Sequence, residues 1–80
     1  MNIGKAVSLR LLDLCKQYDI SINKLCTISG VTQSTVNNII SGRNKSTTVS
    51  TLKKLCDGLN ISIAAFFDSP LFDCLEQELS

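Results

Sequence analysis

Apolar positions along the chain recur at helical spacing, and short polar side chains punctuate them. Val7, Leu11, Leu14 and Tyr18 fall at intervals of 4, 3 and 4, with Cys15 alongside, which predicts a helix over 3–18. Ser21 can cap a second helix over 22–29, with Leu25, Cys26 and Ile28 turned inward and Gly30 as its left-handed stop. Thr32 can cap a third over 33–41, burying Val36, Ile39 and Ile40 and stopping at Gly42. Thr48 can cap a fourth over about 49–58, buried through Val49, Leu52, Leu55, Cys56 and Leu59, with Asn60 as an αL terminator. Ser62 caps a short fifth helix containing Ile63, Ala64, Phe66 and Phe67. Ser69 and Pro70 could start a short sixth over 70–79. No stretch alternates with period 2, and no repeat or internal linker is visible. The pattern predicts an all-α bundle of five helices, with room for the sixth.

The third of these helices has an unusual outer face. In "VTQSTVNNIISG" the positions between Val31, Val36, Ile39 and Ile40 hold Thr32, Gln33, Ser34, Thr35, Asn37 and Asn38. A solvated face normally carries Lys and Glu, which form helices better than Asn, Ser or Thr. Amides and hydroxyls are instead the groups that donate and accept hydrogen bonds at base edges in the DNA major groove. A short helix, a tight turn at Gly30 and a second short helix with a polar face form the layout of a helix-turn-helix. Close packing wants a small side chain inside the first of these helices, and Cys26 occupies that place.

Charge agrees with a polyanion partner. Residues 1–56 carry eight bases against Asp13 and Asp19, a net +6, whereas residues 57–80 carry five acids and no base, a net −5. The stretch "RNKSTT" between the third and fourth helices contributes Arg43 and Lys45. The overall +1 hides this division.

Composition bounds the remaining possibilities. A chain of 80 residues makes one small domain, and a 44% hydrophobic content argues against disorder. No apolar run reaches a membrane span, and Arg10 and Asp13 interrupt the N-terminal apolar stretch where a signal peptide would be continuous. The expectation is a cytoplasmic protein with no membrane partner. Cys15, Cys26, Cys56 and Cys74 form no C-x-x-C pair, and the chain has no histidine, so a metal site is not expected. Their apolar neighbours favour buried, reduced thiols over a disulfide or an oxidation-sensitive thiol. Without histidine, a close carboxylate pair or a Gly-rich phosphate loop, no enzyme activity and no cofactor are expected. Lys53-Lys54 reads as a solvated face of the fourth helix rather than a catalytic pair.

Residues 7–67 resemble the Cro/cI-type, or XRE-family, helix-turn-helix of phage repressors and bacterial regulators. The matching words are "SINKLCTISGVTQSTVNNIISG" and "TLKKLCDGLNIS", about three quarters of the chain with the residues around them. The resemblance implies a compact five-helix phage-repressor-like domain over 1–68, followed by an apolar and acidic extension over 69–80. It implies binding to double-stranded DNA, as in family members that bind as dimers. It places Gln33, Ser34 and Asn38 where the family reads bases. Thr32, Thr35, Asn37, Arg43, Asn44 and Lys45 stand where it touches phosphate or flanking bases. Three positions depart from the family pattern. Ile22 replaces a common Gln that contacts phosphate, and Cys15 and Ile40 replace an internal Arg–Glu pair. Losing both partners together strands no charge, so the fold should survive. Cys15 and Ile40 should then lie close together.

The expected core is Leu11, Leu14, Leu25, Cys26, Val36, Ile39, Leu52, Leu55 and Leu59. The expected function is sequence-specific DNA binding by a small prokaryotic or phage transcriptional regulator, a repressor, reading with helix 33–41. The alternative is a protein-interaction module on the same fold, an antitoxin or accessory regulator with little DNA affinity and another regulatory protein as partner. The many large apolar groups of residues 66–79 either cap the core or form a homodimer patch, with Phe67, Leu71, Phe72 and Leu75 as the candidate contacts.

Overall fold

The computed structural model describes residues 1–41 and 47–76. Five α-helices, α1 (Ile3–Gln17), α2 (Ile22–Ser29), α3 (Gln33–Ile40), α4 (Val49–Leu59) and α5 (Ile63–Phe67), are followed by a 3-10 turn at Pro70–Phe72. The described residues contain no strand.

The punctuation does the work its chemistry predicts. Ser21, Thr32, Thr48 and Ser62 are extended residues whose hydroxyls accept from the backbone N–H three residues on, at 3.0, 3.3, 3.1 and 3.0 Å. Asn2 does the same for α1 through its side-chain oxygen, at 2.8 Å from the Lys5 N–H. Helices α2 and α4 end in left-handed residues, Gly30 at φ 70° and Asn60 at φ 59°. Gly42, the expected stop of α3, lies outside the described residues.

One core joins the helices. All nine expected core residues are buried in it, together with Val7, Cys15, Val31, Cys56 and Phe66. Cys15 lies near Cys26, and Ile40 packs half-buried against the same cluster, so both positions of the family's ion pair are apolar here. The tie between Ile40 and α1 is at Ser8, two turns before Cys15.

Three expectations fail at helix edges. Val49 is 71% exposed because it stands at the first position of α4, before the helix reaches its packing partners. Ile28 is 38% exposed near the end of α2, whose buried face is taken by Leu25 and Cys26. Tyr18 is 45% exposed as the residue that ends α1.

The C-terminal segment also departs from expectation. Over 70–76, the described part of the expected sixth helix, the chain makes the turn at Pro70–Phe72 and then reaches the N-terminus. The Glu76 N–H donates to the Met1 carbonyl at 3.0 Å, and the Glu76 carboxylate stands 3.4 Å from the Met1 ammonium. A backbone N–H given to Met1 cannot continue a helical ladder. Residues 77–80 lie outside the described residues. Phe72 instead joins Phe66 and Phe67 in an aromatic cluster, with ring centroids 4.8–6.1 Å apart.

Candidate nucleic-acid interface

Helix α3 presents two contrasting faces. Val36 and Ile39 are 0% and 2% exposed and anchor it to the core. Gln33, Ser34 and Asn37 are exposed, and Asn38 and Thr35 are half-buried. Gln33 and Ser34 occupy the first turn, beside backbone N–H groups that have no partner within the helix. Among the described residues, the side chains of Gln33, Ser34, Asn37 and Asn38 make no hydrogen bond to the rest of the protein.

The hydroxyls at the start of the helix are differently committed. Thr32 Oγ1 lies 2.8 Å from Thr35 Oγ1 and also accepts the Thr35 N–H. Both threonines hold the helix start first. The pair at Thr48 and Thr51 repeats this arrangement at the start of α4, with hydroxyls 2.8 Å apart. Arg43, Asn44 and Lys45 lie outside the described residues. On α2, Ile22 packs half-buried against the core, so it offers an alkyl group where a polar phosphate contact was at issue.

Two α1 side chains that periodicity did not single out hold other helices by their carboxyl ends. Ser8, 2% exposed, donates from its hydroxyl to the Ile40 carbonyl at 2.8 Å. Arg10 donates from Nε to the Phe66 carbonyl at 2.7 Å and from Nη2 to the Ala65 carbonyl at 2.9 Å. Its Nη1 faces Asp13 Oδ2 at 3.3 Å. A lone serine in the apolar run "AVSL" was the signal available for Ser8.

On α4 one lysine has a partner on its own helix. Lys53 Nζ lies 2.6 Å from Asp57 Oδ1 one turn along α4, and that bond holds the ammonium more firmly protonated. Of the candidate dimer residues, Phe67 and Phe72 are half-buried in the chain's own aromatic cluster, and Leu75 is half-buried as well. Leu71 lines an open groove of about 530 Å³ shared with Met1, Leu9, Asp13, Pro70 and Cys74. Cys74 is exposed there, unlike the other three cysteines, because the segment that carries it is not the helix expected to bury it.

Residues 10–68 match the family model of the Cro/C1-type HTH DNA-binding domain. The chain belongs to this family. As a Cro/C1-type protein it is similar in fold to a solved structure described as "Crystal structure of the prophage Lp1 protein 11". The two share 42% identity with a TM-score of 0.78, over 88% of this chain and 93% of that one. No curated protein matches the chain. The Cro/C1-type family is one of DNA-binding regulators, and α2 and α3 supply its helix-turn-helix here. No helix among the described residues is long and apolar enough to cross a membrane.

Proposed function

We propose that this chain is a sequence-specific regulator that binds double-stranded DNA and reads the major groove with α3. The observation that carries the reading is the face of Gln33, Ser34, Asn37 and Asn38, set on a helix whose other side is sealed into the core. Gln33, Ser34 and Asn38 read bases, and Gln33 or Asn38 can bind adenine N6 and N7 as a bidentate pair. Thr32, Thr35, Asn37, Arg43, Asn44 and Lys45 hold the backbone or flanking positions, which fixes register without reading sequence. The protein represses, because occupying a promoter site excludes polymerase without requiring any contact to it. It requires no metal or cofactor and acts in the cytoplasm.

In this reading two copies bind together. A two-fold pair places its α3 helices about 34 Å apart, one turn of DNA. The extension over 69–80 supplies the contact, through the part of the apolar tail that the chain's own core leaves uncovered, Leu71 above all.

Selection of bound sequences from a random DNA pool tests both points. The expected result is a preferred half-site repeated with two-fold symmetry at a spacing of one helical turn. Recovery of no preferred sequence, with a protein partner captured through the same face, would favour an interaction module instead. The alkyl group of Ile22 is the feature that favours that second reading.

A further inference from the structure

We infer that Ser8 is a positioning residue for the reading helix. This inference rests on the assignment of α3 as the reader. Helix α3 has only eight residues, and its C-cap residue Ser41 stays in the right-handed region, whereas the C-cap residues of α2 and α4 are left-handed. The last four carbonyls of a helix have no partner within it. Three of those in α3 are met at short range: the Ser41 N–H donates to the Asn37 carbonyl at 2.9 Å, the Ser41 hydroxyl to the Asn38 carbonyl at 3.2 Å, and the Ser8 hydroxyl to the Ile40 carbonyl at 2.8 Å.

Of these, only the Ser8 bond comes from another helix, 32 residues away in sequence. Ser8 is 2% exposed, so water does not readily replace its hydroxyl. Val36 and Ile39 fix the depth of α3 through apolar contact, which is non-directional and tolerates sliding. A hydrogen bond is directional, and this one pins the carboxyl end of α3 to a fixed point on α1.

The consequence reaches the opposite end of the helix. Eight residues span about 12 Å, so a tilt of about 10° displaces one end relative to the other by about 2 Å. Gln33 and Ser34 stand at that other end. A bidentate base contact does not tolerate such a displacement, whereas a phosphate contact by a long flexible base does. Loss of the Ser8 hydroxyl therefore costs discrimination between sequences more than general affinity for DNA.

The test measures binding to the selected site and to random DNA at one salt concentration, for wild type, Ser8→Ala, Gln33→Ala and Asn2→Ala. Asn2→Ala removes the N-cap of α1 and serves as the stability control, with an expected fall in melting midpoint of about 5 °C. Ser8→Ala should lower the specific-to-random affinity ratio about tenfold, the worth of one well-placed base contact. Its binding to random DNA should stay near wild type, and Asn2→Ala should keep the wild-type ratio. Ser8→Cys retains a weak donor at similar volume and should give an intermediate ratio. It carries the comparison if the alanine variant does not fold. A wild-type ratio in the Ser8 variants, with Gln33→Ala reduced, overturns the role of Ser8 and leaves α3 as the reader. A wild-type ratio in Gln33→Ala as well overturns both.

Discussion

A methyl group on Gly58 would stand 2.8 Å from the Ser29 Cα and 2.9 Å from its Cβ and backbone nitrogen. The end of α2 lies directly on α4 at this point, and the absence of a side chain on Gly58 allows it. The contact sets how the first half of the helix-turn-helix is seated. Gly58→Ala should gain about 1 kcal/mol of helix propensity and lose about 1–3 kcal/mol or more to overpacking against backbone that cannot move aside. The net expectation is a loss of up to about 2 kcal/mol. Urea denaturation reads it directly, and an unchanged or raised midpoint would show that α2 shifts away at little cost.

Arg10 should be costly to remove despite its position on a surface helix. Its guanidinium meets the carbonyls of Ala65 and Phe66, the closing turn of α5, and its side chain is only 12% exposed. Hydrogen bonds to a charged group are each worth about 1.5–3 kcal/mol, and a cation also suits the carboxyl end of a helix. Arg10→Ala should destabilise by about 2–4 kcal/mol. Arg10→Lys should recover only part of that, since an ammonium lacks the fork that spans two carbonyls. Equal stability of the lysine variant and wild type would contradict the two-carbonyl clasp.

The cysteines should separate by reactivity and give stability a dependence on alkaline pH. Burial pushes the Cys15 thiol up, with the neighbouring Cys26 adding to it, and burial likewise pushes Cys56 up, with Asp57 adding to it. Cys74 is exposed. A thiol reagent at neutral pH should label Cys74 promptly and the other three only on unfolding. The folded chain keeps protons on Cys15 and Cys56 that the unfolded chain releases above about pH 8.5. The unfolded state then binds fewer protons, so stability is full below that value and falls as pH rises through it. Urea midpoints from pH 7 to 9.5 should show the fall, and Cys56→Ala should flatten it.

Self-association through the groove beside Leu71 has a direct test. Leu71→Glu places a carboxylate in an apolar groove while sparing the Phe66–Phe67–Phe72 cluster. Sedimentation should show the wild type as a dimer and the variant as a monomer with weakened binding to the selected site. A wild type that remains monomeric at high concentration contradicts the dimer.

Much of the fold was legible because its signals are local. The caps at Ser21, Thr32, Thr48 and Ser62, the left-handed stops at Gly30 and Asn60, and the buried stripes of α1 to α4 each depend on residues within a turn or two. The polar face of α3 was legible for the same reason. What escaped depends on distance in sequence. Ser8 meets Ile40 and Arg10 meets Phe66 across 32 and 56 residues, and no local pattern names either partner. Val49 and Ile28 fit the period yet face water, because periodicity says which positions share a face and not how far the covering helix extends. The stretch from 70 to 76 had a good cap and apolar spacing, but it turns at Pro70–Phe72 and gives the Glu76 N–H to Met1, a partner distant in sequence.

The central claim is that α3 reads bases while the basic stretch after it holds phosphate, and one comparison of binding tests it most directly. Affinity for the selected site and for random DNA is measured across a range of salt for wild type, Gln33→Ala, Asn38→Ala, Arg43→Ala and Lys45→Ala. Gln33→Ala and Asn38→Ala should each lose about 1–3 kcal/mol on the selected site and almost nothing on random DNA. Arg43→Ala and Lys45→Ala should weaken both DNAs alike and lower the salt slope by about one unit for each phosphate contact removed. If all four variants bind the selected site as tightly as wild type at physiological salt, α3 is not the reader.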